Sequence, residues 1–201
     1  LAGVYSNNQR PVFNLNYLLA GSEGTLALVH EAKLRLTPLP AFQELIVVKY
    51  ESFDDALRAA GILVQSDPTA IETVDEKILG LAREDEIYHK VKEFVADEGS
   101  RPTRTINLVE FSGNDKSVVS AKVDQLAKII HERKEISGEA TGFYRTDIPE
   151  EIRDLWNLRK KGVGLLGNTK GRRKPIPFVE DTAVPPENLA AYIREFRDLL
   201  E

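Results

Sequence analysis

The chain has 201 residues, 42% of them hydrophobic and 29% charged, with a formal net charge of −5. That length holds a sizeable core without covalent staples, and the acidic balance argues against a general nucleic-acid binder. Cysteine is absent, which excludes disulfides, a thiolate nucleophile and Cys-ligated zinc or iron–sulfur centres within this stretch, while leaving the compartment open.

Residues 14–19 fit a short helical turn, followed by the Gly-rich stretch AGSEGTL (20–26). From Leu26 the pattern alternates, with Leu28, Leu34 and Leu36 on one side and Glu31, Lys33 and Arg35 on the other. This predicts a half-buried strand or hairpin. Pro38 and Pro40 end it and place a domain boundary near 38–42. ELIVVKY (44–50) predicts a strand. Ser52 with Asp55 forms a capping box for a helix whose inward stripe is Phe53, Leu57, Ala60 and Val64. TAIETV (69–74) predicts a strand with Glu72 at its end, and Asp75 caps one or two helices over 75–97. Their inward residues are Ile78, Leu79, Ala82, Ile87, Val91 and Phe94. A strand at 106–112 and a helix at 117–133 follow, the helix burying Val119, Val123, Leu126 and Ile130. TGFYRT (141–146) predicts a strand, and Pro149 opens a helix that runs to about Lys161. Residues 162–175 read as a basic, Gly-rich loop, 176–184 as a strand, and 186–201 as a helix with Leu189, Ile193, Phe196 and Leu200 inward. The order from 44 onward is β-α-β, helical insert, β-α-β. It predicts an α+β domain with a ferredoxin-like antiparallel sheet and helices on one face.

No apolar run approaches the roughly 18 residues of a membrane span, and no signal peptide is visible. Methionine is absent and YSNNQRPVFN near the start does not read as a natural opening. The expectation is therefore a piece of something longer.

Gly21 and Gly24 free the backbone for positive φ and for close approach by a ligand. Consecutive amides there suit a phosphate or the polar edge of a flavin, or the stretch is a plain turn. Ile152, Trp156 and Arg159 share one helix face. The planar fork of Arg159 suits a carboxylate, either a ligand's or that of a neighbouring acid. Glu180 and Asp181 are adjacent on a predicted strand, so they face opposite sides and cannot form a catalytic pair. His30, His89 and His131 have no metal spacing. Lys170 to Lys174, KGRRK, lack interleaved aromatics and read as a solvated or lid-like loop.

YLLAGSEGTLALVHEAKLRLTPLP resembles the closing segment of the flavin domain in the FAD-linked oxidase family, the vanillyl-alcohol oxidase and p-cresol methylhydroxylase type. YESFDDALRAA, AIETVDEKIL, LWNLRKKGVGLLG and PFVEDTAVPPENLAAYIREFRDLL resemble successive blocks of its cap domain. The likeness is strongest to the D-2-hydroxyacid dehydrogenase branch, including long bacterial proteins with a C-terminal iron–sulfur module.

The resemblance implies residues 1–40 as the end of an FAD-binding domain and 41–201 as an incomplete cap domain. It implies FAD against Gly21, Ser22, Glu23, Gly24 and Thr25, and Arg159 on the carboxylate of a small D-2-hydroxy acid, the D-lactate or D-2-hydroxyglutarate class. Ala27 stands where the family usually has Gly. Val179 stands where some members carry Lys, which leaves a second substrate contact open. The family's His-rich base and metal segment and its pyrophosphate loop are absent from this sequence. The expected catalytic residues and metal ligands within the chain are therefore none, and the isolated chain is expected to be inactive. A cytoplasmic location, at the inner membrane in one variant, is expected. The electron acceptor and a homodimer stay open. The alternative reading is a stand-alone ferredoxin-like interaction module.

Overall fold

The computed structural model describes residues 14–133, 140–167 and 182–200. It divides into two compact units, Leu1–Leu39 and Pro40–Glu201.

In the first unit, helix α1 (Asn16–Ala20) leads into a turn at 21–26, and residues 27–40 carry no regular secondary structure. The strand expected at 26–36 is not formed. A half-buried strand needs a ladder partner and a surface beneath it, and here Leu28, Leu34 and Leu36 are 99%, 79% and 84% exposed.

The second unit is built on a four-stranded antiparallel sheet in the order β2-β3-β1-β4. The strands are β1 (Phe42–Tyr50), β2 (Ala70–Val74), β3 (Thr105–Gly113) and β4 (Gly142–Thr146). This is the ferredoxin-like order expected for the split βαβ plan. Strand β1 pairs with β3 from Phe42↔Gly113 to Tyr50↔Thr105, and with β4 from Leu45↔Thr146 to Lys49↔Gly142. Being central and covered on both faces, it reads as a continuous buried run rather than an alternation.

On one face lie α2 (Phe53–Gln65) and α5 (Lys116–Arg133), packed on Ile46, Val48, Tyr50, Val109 and Phe111. The sequence predicts helices on one face only; the structure carries them on both, because β1 and β3 are apolar on both sides and each side needs a cover. The inserted helices α3 (Glu76–Ala82) and α4 (Ile87–Val91), together with α6 (Pro149–Gly167), cover the opposite face over Leu45, Val47, Ile106 and Leu108. A 3₁₀ turn at Pro186–Asn188 leads into α7 (Leu189–Asp198), where Leu189, Ile193 and Phe196 are half-buried and Leu200 is exposed.

Local signals act where the sequence places them. The Ser52 hydroxyl accepts from the Asp55 amide at 3.1 Å, and the Asp75 carboxylate accepts from the Ile78 amide at 2.9 Å. The inward face of α2 is rotated from the expected one: Ala56, Leu57, Ala59 and Leu63 are buried while Val64 is exposed. Small alanines let the helix approach the sheet, where the Asn107 side-chain amide donates to the Ala56 carbonyl at 3.0 Å. Helix α6 runs past the expected end at Lys161, so residues 162–167 are helix, not loop. A Cβ at Gly162 would lie 3.2 Å from Ile78 Cδ1, so that glycine serves close packing of α6 on α3.

Candidate functional site

The α3–α4–α6 face of the sheet carries Arg159, the residue singled out for substrate binding. Along α6, Ile152 is buried, Trp156 is half-buried and Arg159 is exposed, so the stripe runs from the core outward. The Trp156 indole N–H donates to Glu110 Oε2 at 2.8 Å, and Glu110 is only 8% exposed. One turn further on, Arg159 Nε donates to Glu72 Oε2 at 3.1 Å. Glu72 lies opposite Leu108, and Glu110 opposite Ala70, so the two carboxylates are diagonal neighbours on β2 and β3. Glu72 is the central residue of β2 and not the expected end of its strand, because the ladder with β3 continues to Val74↔Ile106.

The Arg159–Glu72 pair is half-exposed, with side-chain exposures of 45% and 37%. Among the described residues, Arg159 makes no other hydrogen bond, so its terminal N–H groups are open. A guanidinium engaged at one edge retains a second edge with parallel donors for an incoming carboxylate. The structure therefore gives Arg159 a neighbouring acid as partner and leaves it able to take an anion as well. The sequence could not announce this pair, because its members are 87 positions apart.

The Gly-rich stretch is a closed turn. The Thr25 amide donates to the Ser22 carbonyl at 2.9 Å and the Thr25 hydroxyl to the same oxygen at 2.6 Å. The Ser22 hydroxyl donates to the Leu19 carbonyl at 2.9 Å. Glu23 and Gly24, at φ 48° and 75°, occupy the left-handed region demanded at both centres of a type I′ turn. Their amides donate to no backbone acceptor among the described residues. A Cβ added at Gly24 would meet nothing within 4 Å, so this edge of the turn is open.

His30, His89 and His131 are all exposed. Val179, Glu180, Asp181 and the Lys170 to Lys174 loop lie outside the described residues. Among the described residues there is no group of three or more His, Cys, Asp or Glu able to hold a metal ion, and no helix long and apolar enough to cross a membrane.

Sequence reasoning missed two buried charges that set the sheet. Glu44, 4% exposed in its side chain, accepts from Arg145 Nη2 at 2.8 Å and from the Ser120 hydroxyl, and Arg145 also pairs with Asp124. Lys49 donates to Glu98 and to the Ala96 carbonyl, both at 2.9 Å. Gly142 lies beneath that bridge, where a Cβ would come within 2.5 Å of the Glu98 side chain. In the sequence Lys49 lies between Val48 and Tyr50, and Glu44 adjoins the apolar run that starts at Leu45, which is the signal available for both.

Comparison with known proteins bears on the whole chain. It is 46% identical over 202 residues to a D-2-hydroxyglutarate dehydrogenase of Pantoea ananatis, covering 100% of this chain and 20% of that protein. It is 47% identical over 197 residues to the Haemophilus influenzae protein of the same name, covering 97% and 19%. The chain spans about a fifth of the length of these relatives. Glycolate oxidase subunit GlcD of Bacillus subtilis is 26% identical, with 93% of this chain and 36% of that protein covered. An alkyldihydroxyacetonephosphate synthase structure shares the fold, with a TM-score of 0.52 at 22% identity over 77% of this chain and 29% of that one. Residues 39–201 match the family described as FAD linked oxidases, C-terminal domain, and the chain belongs to that family.

Proposed function

We propose that this chain is the substrate-side part of an FAD-dependent dehydrogenase that oxidises a D-2-hydroxy acid to the 2-oxo acid, with D-2-hydroxyglutarate as the preferred substrate. The observation that carries this reading is a step in identity. Relatives named for D-2-hydroxyglutarate are 44–48% identical across nearly the whole chain. Those named for glycolate or D-lactate are 25–27% identical over a similar span.

FAD supplies the redox chemistry when bound. The role assigned to this chain is recognition. Residues 41–201 act as the cap domain, and the open edge of Arg159 takes the substrate carboxylate through two parallel N–H donors. Residues 1–40 act as the end of the flavin domain, with Gly21, Ser22, Glu23, Gly24 and Thr25 offering one edge of the flavin site. The location assigned to the enzyme is cytoplasmic.

The test is a substrate screen on the full-length protein with an artificial electron acceptor. D-2-hydroxyglutarate is expected to give the highest kcat/KM, ahead of D-lactate and glycolate. Equal or better turnover of the monocarboxylic acids overturns the substrate assignment, and no turnover of any 2-hydroxy acid overturns the reading as a whole.

A further inference from the structure

We infer that Glu72 is a positioning residue for Arg159, holding its guanidinium so that the opposite edge faces a ligand carboxylate. The inference rests on the reading of Arg159 in the preceding subsection and extends it to a residue on a different element.

Two independent contacts fix where Arg159 points. Its root is set by α6, which is tied to the sheet one turn earlier by the Trp156–Glu110 hydrogen bond at 2.8 Å. Its tip is set by Glu72 Oε2 at 3.1 Å from Nε. Because the guanidinium is planar and its donors are fixed in a fork, a partner on Nε determines the orientation of the Nη pair. An arginine held only at its root would sample many rotamers, and each binding event would have to order it. Glu72 does that ordering before the ligand arrives.

The same carboxylate also repels an anionic substrate, so its two effects on KM have opposite signs. Positioning is expected to dominate, because both side chains are more than a third exposed and solvent screens the charge. Geometry is not screened, and a guanidinium that must be ordered at each binding event weakens affinity.

The experiment uses the full-length flavoprotein with D-2-hydroxyglutarate and an artificial acceptor. Glu72→Ala is expected to raise KM about three- to tenfold with kcat changed less than about twofold. Glu72→Gln, which keeps an acceptor oxygen and loses the charge, is expected to restore KM to within about twofold of wild type. In an Arg159→Ala background, Glu72→Ala should change KM no further. Glu72→Ala with unchanged KM, or both Glu72 variants lowering KM, overturns the positioning role while leaving Arg159 as the anchor. Arg159→Ala with unchanged kinetics overturns the assignment of Arg159 and the role of Glu72 with it.

Discussion

Arg145 and Gly142 sit on the same short strand and make different demands on it. Arg145 neutralises Glu44, whose side chain is 4% exposed. Removing the cation would leave a buried carboxylate with the Ser120 hydroxyl as its remaining partner among the described residues. Arg145→Ala should therefore destabilise the fold by about 2–3 kcal/mol, below the range for a fully buried pair because Arg145 itself is partly solvated. Urea unfolding measures this, and a loss under about 0.5 kcal/mol would mean that Glu44 finds other solvation. At Gly142 the obstacle is steric. A methyl group there displaces Glu98 from Lys49, which is 4% exposed. Gly142→Ala should cost about 1–3 kcal/mol, and wild-type stability would show that Glu98 can move aside without releasing Lys49.

At the scale of elements, stability and legibility follow the range over which each signal acts. The caps at Ser52 and Asp75 are local, involve residues three positions apart, and are readable directly. Ser52→Ala should lower stability by about 1 kcal/mol, measured by thermal melting with loss of helical circular dichroism; an unchanged melt would mean that α2 is held by packing alone. The stripe of α5 is equally readable, because Val119, Val123, Leu126 and Ile130 are all buried. Other features depend on what an element meets. Glycines in 162–167 suggest a loop until Gly162 is seen against Ile78. The rotated face of α2 depends on Asn107, 51 residues away from Ala56. The candidate site has the same character: Arg159 could be chosen from its helix face, but Glu72 joins it only through the register of β2 with β3 and the placement of α6.

For the molecule as a whole, three surface aspartates among the described residues contribute to stability in acid. Asp67 is held below its ordinary value by a hydrogen bond from Lys122 and by its charge. Asp85 is lowered by the Lys161 hydrogen bond and the Ile87 amide, and Asp115 by the Ser117 hydroxyl and the amides at the start of α5. Each is ionised more readily in the folded than in the unfolded chain. Its contribution is therefore complete above the ordinary value of 3.8 and is lost as pH falls through the lower folded values. The melting temperature should decline between about pH 5 and pH 2, and Asp85→Asn should reduce that decline. An unaltered slope would show that Asp85 contributes nothing to it. The exposed leucines of residues 26–36 carry a separate consequence, a colloidal one. Leu28, Leu34 and Leu36 present apolar surface along a segment whose backbone is not engaged in any sheet. Such a segment is a template for pairing with another copy of itself. A shortened chain spanning 40–201 keeps every strand of the ladder, and light scattering should find it less prone to cluster at high concentration than the 201-residue chain.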